Sequence, residues 1–439
     1  MVSRDTDRTG HRERNETVIV GGGQAGLATA YHLRRRKRPF VVLEAGARVG
    51  DNWRKHWDSL RLFTPATLSH LPGMRYPARG WSFPTKDEFA DYLEGYAAHF
   101  GFDVRTGARA EAVTRHAGRY QVTAGARCFE ADHVVLATGA HREPKVPVFA
   151  PALDSGIVQL HSSAYRNPDQ LRPGAVLVVG PANSGSEIAL ELAAGRDVWL
   201  AGRKVPVFPV RPHSLAARVV MRAFFLIAAH VLTSKTPLGR RARPYVRANP
   251  APLIRVKPQD LAAAGVRRVG RVVGVQGGRP RLEDGDEIDV ANVIWCTGFQ
   301  VDYSWIDLPA CAAGGEPAHE RGVLTDEPGM YVVGQLFQHA LASTFIGGVG
   351  QDAAHIARAV ERRVLRRRRA THQEEGRSAA ALVGTAGRVT GSRSVRYRLA
   401  TRSRYKAAAQ SPSGAIRCQA KPHQDTPGVM AARDGSDAS

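Results

Sequence analysis

Short apolar runs recur along this chain, and most of them end in glycine. Thr17-Val18-Ile19-Val20 runs into Gly21, and a continuous apolar run of this length bounded by a turn signal predicts a buried parallel strand. A helical stretch follows from Ala25 to about Lys37, and then a second apolar strand, Phe40-Val41-Val42-Leu43. Between 103 and 136 the pattern changes to short alternating segments such as Tyr120-Gln121-Val122-Thr123, which predict a small antiparallel sheet. Strand His133-Val134-Val135-Leu136 closes that region and ends in Ala137-Thr138-Gly139. Near 175 the opening pattern returns. Ala175-Val176-Leu177-Val178-Val179 runs into Gly180, a helix spans Ser184 to about Ala194, and Asp197-Val198-Trp199-Leu200 follows. Asn292-Val293-Ile294-Trp295-Cys296 ends in Thr297-Gly298, Met330-Tyr331-Val332-Val333 ends in Gly334, and Gly347 to about Arg363 reads as a last helix.

The order strand–turn–helix–strand, given twice, predicts an α/β fold with two doubly wound Rossmann-like nucleotide-binding units about 160 residues apart. That period is far too long for a solenoid. The second unit is expected to be inserted in the first, with residues 16–165 and 301–369 forming one unit and 166–300 the other. Residues 1–15 are polar. From 370 to 439 apolar periodicity collapses into Gly, Ser, Ala, Arg and Thr, so both ends are expected to be disordered.

Charge changes this picture little. The net charge is +22, but residues 361–439 alone hold 17 Lys and Arg against 6 Asp and Glu, half of the excess. A basic tail of this kind reads as a solvated segment, not as a specific nucleic-acid site. The longest apolar run near the middle, Phe224 to Leu232, is too short to span a membrane, contains His230 and follows Arg218 and Arg222. It is expected to be an amphipathic helix packed on the core, with weak contact to a membrane or to a greasy substrate as the alternative. The N-terminus carries Arg4, Asp5, Asp7, Arg8 and Arg12 with no apolar h-region, so no secretory signal is expected. Cys128, Cys296, Cys311 and Cys418 form no Cys-x-x-Cys pair, which argues against a disulfide scaffold, a zinc module and a redox dithiol, and makes a reducing cytoplasm the expectation.

The chemistry lies in the glycine loops. Gly21-Gly22-Gly23-Gln24-Ala25-Gly26 fits G-x-G-x-x-G between a strand and a helix. The first Gly permits the tight turn, the second admits a pyrophosphate, and the third lets helix pack on strand. The helix start supplies free N–H groups for phosphate. Glu44 ends the next strand 18 residues beyond Gly26, placed to accept hydrogen bonds from both ribose hydroxyls. In the second loop, Gly180-Pro181-Ala182-Asn183-Ser184-Gly185, Ala182 replaces the middle glycine and its methyl group crowds the pyrophosphate path. Arg203 lies 18 residues beyond Gly185, the same offset as Glu44, and Lys204 follows it. A carboxylate repels a 2′-phosphate, whereas a guanidinium can grip it in bidentate fashion. The first unit is therefore expected to take a dinucleotide without that phosphate, and the second to prefer NADPH over NADH.

With both loops placed, the chain resembles the flavin-containing monooxygenase family, particularly its bacterial members and the plant auxin-forming branch. The resemblance is carried by the first glycine loop; by Gly50-Asp51-Asn52-Trp53-Arg54, Leu60-Arg61-Leu62-Phe63-Thr64-Pro65 and Phe83-Pro84-Thr85-Lys86-Asp87-Glu88-Phe89; and by His161-Ser162-Ser163-Ala164-Tyr165, Asn183-Ser184-Gly185 with Glu187, and Trp295-Cys296-Thr297-Gly298-Phe299. It covers about residues 16–360. It implies that Glu44, Trp53, Arg54 and the first loop hold FAD, that residues 60–65, with Leu60 and Thr64, run past its isoalloxazine, and that Thr138, Gly139, Thr297, Gly298 and Gly334 belong to the two cofactor sites. It also implies that His161-x-x-x-Tyr165 is the linker ahead of an NADPH unit. NADPH would then reduce FAD, and the reduced flavin would take up O2 as a C4a-(hydro)peroxide and insert one oxygen atom into a small organic substrate. An NADPH oxidase or reductase without oxygen insertion is the alternative. Two departures stand out. The Phe-x-Gly half of the linker is displaced, with Gly156 one residue out of place. Ala66-Thr67-Leu68 also lacks the active-site Asn of the mammalian members, which argues against their type of N- or S-oxygenation.

No other constellation competes. His141, His161, His339 and His355 are scattered, and no metal cluster or Ser-His-Asp set stands out, so no acid–base pair is assigned. Gly347-Gly348-Val349-Gly350-Gln351-Asp352 opens the last helix; its N–H groups, near Gln351, are expected to face the flavin pyrimidine, with plain helix capping and Asp352 in the first turn as the alternative.

Overall fold

A computed structural model describes residues 12–386 except 79, 140–142 and 312–314. His141 and Cys418 lie outside the described residues, as do residues 1–11 and 387–439 of the two expected disordered ends.

The chain opens with β1 (Arg12–Val20), α1 (Gln24–Arg35), β2 (Val41–Leu43), α2 (Asp51–Arg54), α3 (Lys86–His99) and β3 (Val104–Arg105). The antiparallel strands β4 (Ala112–His116), β5 (Arg119–Ala124) and β6 (Arg127–Leu136) follow. The middle of the chain holds β7 (Glu143–Pro144), β8 (Val158–His161), β9 (Val176–Val179), α4 (Asn183–Leu192), β10 (Val198–Ala201), α5 (Leu215–Leu226), α6 (Pro237–Ala248) and α7 (Pro258–Ala263). It continues through β11 (Arg267–Val269), the hairpin of β12 (Val272–Gln276) and β13 (Arg279–Leu282), β14 (Asn292–Trp295) and β15 (Phe299–Gln300). The last elements are β16 (His319–Glu320), β17 (Val323–Leu324), β18 (Met330–Val332) and α8 (Val349–Ala386).

Two large sheets result, with the β12–β13 hairpin and a β7–β15 ribbon beside them, all within the compact unit Met1–Ser378. The first runs β16-β17-β18-β6-β1-β2-β3, with β5 added to β6 and β4 to β5. Strand β6 serves both parts. Residues Arg127–Ala131 pair antiparallel with β5, while Cys128–Leu136 pair parallel with β1. The second sheet, β11-β10-β9-β14-β8, is parallel throughout. All four residues of β9 and of β14 are buried, as a parallel strand covered on both faces requires. The chain leaves the first sheet after β6 and returns after β14, and the two crossing segments meet as the ribbon β7–β15.

Three boundaries differ from expectation. Strand β1 begins at Arg12, because Arg12–Asn15 extend the ladder along Cys128–Ala131 and Arg12 pairs with Glu130; backbone pairing sustains a polar strand that shows no apolar signal. Strand β8 belongs to the second sheet, so that unit starts before 166. Helix α8 runs to Ala386 and does not give way to disorder at 370, because residues 364–375 are rich in good helix formers even though they carry no apolar face.

Candidate functional site

The first glycine loop joins β1 to α1. Gly21 has φ +111°, and its N–H donates to Leu43 O at 2.8 Å. A β-carbon on Gly21 would collide with Ala137 O, and one on Gly26 would collide with Gly21 O. Both glycines are thus demanded by packing. Gly23 differs: it is the N-cap of α1 at φ −77° and ψ −173°, and a β-carbon there would meet nothing within 4 Å. No side chain caps this helix and no acid stands in its first turn, so its free N–H groups and positive end face the gap that Gly23 leaves open. Glu44, just beyond β2, reaches in from the side. It accepts from Gly22 N at 2.8 Å with Oε2 and from Gly46 N at 2.7 Å with Oε1. Trp53 Nε1 donates to Gln24 Oε1 at 3.3 Å. Gly334, after β18, has φ +84°, and its missing side chain lets the strand approach Ala25. Thr138 and Gly139 continue from Ala137 at the mouth of the same loop.

The second loop repeats this construction. Gly180 has φ +109° and donates to Ala201 O at 2.9 Å. A β-carbon on it would collide with Cys296 O, and one on Gly185 with Gly180 O. Ala182 is the N-cap of α4 at φ −75° and ψ −171°, the backbone state of Gly23, again with no side-chain cap and no acid in the first turn. The methyl group is therefore compatible with the fold and occupies only the open side of the loop. Past β10, Arg203 and Lys204 are exposed. Arg268 donates from Nη2 to Gly202 O at 3.0 Å, and Arg271 pairs with Glu283 at 3.0 Å. Arg271 chiefly holds the Glu283 carboxyl below its usual range, with Arg203 adding to the effect, so the strand ends form a cationic rim.

Known proteins are similar to this chain over a span that includes both loops. Residues 18–216 match the pyridine nucleotide-disulphide oxidoreductase family model, a span that takes in both loops. An uncharacterized CzcO-like oxidoreductase of Geobacillus kaustophilus is 36% identical over 344 residues, covering 78% of this chain and 97% of the relative. The indole-3-pyruvate monooxygenase YUCCA1 of Oryza sativa subsp. japonica is 31% identical, covering 67% of this chain and 80% of the plant protein. Among solved structures, a flavin-containing monooxygenase from Stenotrophomonas maltophilia matches with a TM-score of 0.67 and 26% identity, over 80% of this chain and 99% of that one. The chain belongs to the flavin-containing monooxygenase family.

Several family-motif residues turn out to have structural duties. Arg54 donates to Val49 O at 2.8 Å and pairs with Asp51, Asp91 and Glu94, which ties α2 to α3. Leu60 is buried in the core of the second sheet with Trp57, Tyr165 and Val176. Thr64 Oγ1 bonds Ser69 Oγ at 2.7 Å. Asn183 donates to Pro252 O at 2.9 Å and accepts from Ile254 N at 3.1 Å, so it anchors that loop to the start of α4, beside half-buried Ser184. The Thr297 hydroxyl donates to Lys145 O. The linker motif acts as a pair of pins. His161 Nδ1 accepts from Ser163 N at 3.2 Å, which leaves the Nε2 proton to donate to Gly298 O at 3.0 Å, and burial lowers its pKa. Tyr165 donates to Glu191 of α4 at 2.8 Å.

At the start of α8 the glycines serve packing. A β-carbon on Gly348 would collide with Ala342 O, and one on Gly350 would come within 2.6 Å of Pro72. Gln351 is exposed, whereas Asp352 is buried 3.5 Å from Arg321 Nε, with burial raising its pKa. His339 bonds Ser234 at 3.2 Å; His339 and His355 are both pushed down to about 4, first by burial. Among the described residues no three His, Cys, Asp or Glu side chains converge to hold a metal ion.

Sequence reading missed a cleft of about 730 Å³ lined by Arg61, Trp81, Phe83, His213 and Arg255. Arg255 binds Arg61 O at 3.0 Å and Glu187 at 3.3 Å. Glu187, in α4, is almost wholly enclosed, and desolvation outweighs Arg255 and pushes its pKa up to about 7.

Proposed function

We propose that the chain is an NADPH-dependent FAD monooxygenase that inserts one atom of O2 into a small organic substrate. The observation that carries this reading is the twofold loop construction: one open helix start beside a carboxylate, the other beside a cationic rim. On the nine-stranded sheet, Gly21, Gly23 and Gly26 with the N–H groups from Gln24 and Ala25 would hold the FAD pyrophosphate, and Glu44 its ribose. Each Glu44 oxygen has a lone pair left after its bond from Gly22 or Gly46. Trp53, held on Gln24, would wall the site. On the five-stranded sheet, Gly180, Ser184 and Gly185 would hold the NADPH pyrophosphate, with Arg203, Lys204 and Arg268 on the 2′-phosphate. FAD, when bound, would supply the redox chemistry by accepting hydride from NADPH and passing electrons to O2.

The residues of the chain bind, orient and exclude water. The Arg61–Arg255 cleft, with its aromatic walls, lies beside α4 and gives a small molecule both stacking surfaces and guanidinium donors. Similarity to the indole-3-pyruvate monooxygenases and to the bacterial flavin-containing monooxygenase supports oxygen insertion.

The test is an oxidation balance. The purified protein, given NADPH, isotopically labelled O2 and candidate amines, thioethers, ketones and 2-oxo acids, is expected to place label in product. Release of all the consumed electrons as hydrogen peroxide with every class would establish an oxidase instead. Arg203→Glu is expected to raise KM for NADPH by about tenfold or more, as loss of a charged hydrogen bond implies, with little change for NADH. Equal effects on both nucleotides would remove Arg203 from the phosphate site.

A further inference from the structure

From Val198 to Gln259 the chain carries no Asp or Glu, yet twelve Lys and Arg. Acids number 40 in 439 residues, so a stretch of this length without one is strongly segregated in charge. Helix α5 lies in its middle and continues into a π-helical turn, Ile227–Val231. Its inner side is ordinary core: Ala217, Met221 and Ala228 are buried. Its outer side carries Leu215, Val219 and Leu226, 76%, 71% and 63% exposed, at spacings of four and seven that place them on one helical face. Ile227 and Val231 continue the exposed apolar run. Arg218 and Arg222, both exposed, edge the row. Single exposed leucines are commonplace, but a contiguous apolar row on an exposed helix face marks an interaction site.

We propose that this face of α5 docks on an anionic bilayer surface, with the row from Leu215 to Val231 at the headgroup–acyl boundary and the flanking cations against lipid phosphates. An apolar row edged by cations, with no carboxylate to repel phosphate, is the composition that interfacial helices use. A nucleic acid would match the cations but leave the row facing phosphate and water. A second copy would match the row but bring Arg218 and Arg222 against their own kind, with no acid in the segment to pair them. The inner side of the same helix packs on the segment that leads into α8. Phe224 and Phe225 pack on Phe345 at 6.1 and 5.1 Å, next to Gly347, where a β-carbon would stand 2.5 Å from Leu68 O and 3.8 Å from the Phe225 ring.

The test uses the full-length, flavin-loaded protein and co-sedimentation with vesicles. Binding to phosphatidylcholine vesicles containing phosphatidylglycerol is expected, with at least tenfold weaker binding to phosphatidylcholine alone. Val219→Glu with Leu226→Glu is expected to weaken binding more than tenfold while flavin content and NADPH oxidation stay unchanged. The milder pair Val219→Ser with Leu226→Ser should give an intermediate loss and guards against misfolding of the first. The proposal fails if the charged pair binds vesicles like the parent, since the basic segment 361–439 would then be the attachment. It fails equally if the parent binds heparin or DNA but not vesicles, or if the substitutions abolish only self-association in sedimentation velocity. None of these readouts depends on oxygen transfer.

Discussion

Two glycines three residues apart in the first loop do opposite things. A side chain on Gly26 runs into Gly21 O, so the fold itself forbids one. A side chain on Gly23 meets nothing within 4 Å, and the backbone there, at φ −77°, suits any residue. Gly23→Val should therefore give a folded protein that purifies without its yellow colour, with stability lowered by only about 1 kcal/mol for a poor N-cap. Gly26→Val should fail to fold or lose most of its stability. Circular dichroism and flavin absorbance separate the two, and a Gly23→Val protein that retains flavin would show that the loop does not hold the pyrophosphate. The second loop offers the reverse experiment, because Ala182 already carries a methyl group in the conformation of Gly23. Replacement by glycine, a better N-cap than alanine, does not weaken the helix and clears the approach to its start. Ala182→Gly is expected to lower KM for NADPH several-fold and leave flavin content untouched; an unchanged KM would mean that the phosphates pass elsewhere.

At the scale of the element, α4 contains a pH-dependent strain. Burial holds the Glu187 carboxyl near 7, above the ordinary value of 4.5. Below about pH 4.5 the group is neutral in both folded and unfolded chains, and its contribution to stability is fully present. Between about 4.5 and 7 the unfolded chain ionises first, so stability falls as pH rises, by about 3 kcal/mol when complete. Glu187→Gln should remove this slope, so that urea unfolding at pH 5 and pH 8 differs less than in the parent; parallel slopes would refute it. Sequence reading found α4, as it found the other strand–glycine–helix units, because buried parallel strands need continuous apolar runs and tight turns need glycine. It misplaced the ends of β1 and α8, where the stabilisation comes from ladder pairing, ion pairs and helix propensity, none of which leaves an apolar period. It expected Arg54 and Asn183 to meet a cofactor; the structure shows in addition that each ties parts of its own chain together. The Arg61–Arg255 cleft was illegible for a different reason: its two arginines lie 194 residues apart and meet only in the fold.

In the molecule as a whole, the chain makes one excursion, out through β7 and back through β15, and builds a second nucleotide fold on the way. Each sheet has its own apolar cores. Ile19, Val42 and Val135 lie in one of the first sheet's, and Val176, Val178 and Ile294 in one of the second's. Trp53 packs against cores of both, and Leu60 extends the loop segment into the second. The two sites are therefore built separately and joined through few side chains. For sites with separate supports, perturbations are additive to within about 0.3–0.5 kcal/mol, a factor of about two in affinity. The flavin-free Gly23→Val protein is thus expected to bind NADPH in calorimetry within about twofold of the parent. A much weaker Kd would mean that bound FAD, reaching across near Trp53, forms part of the NADPH site itself.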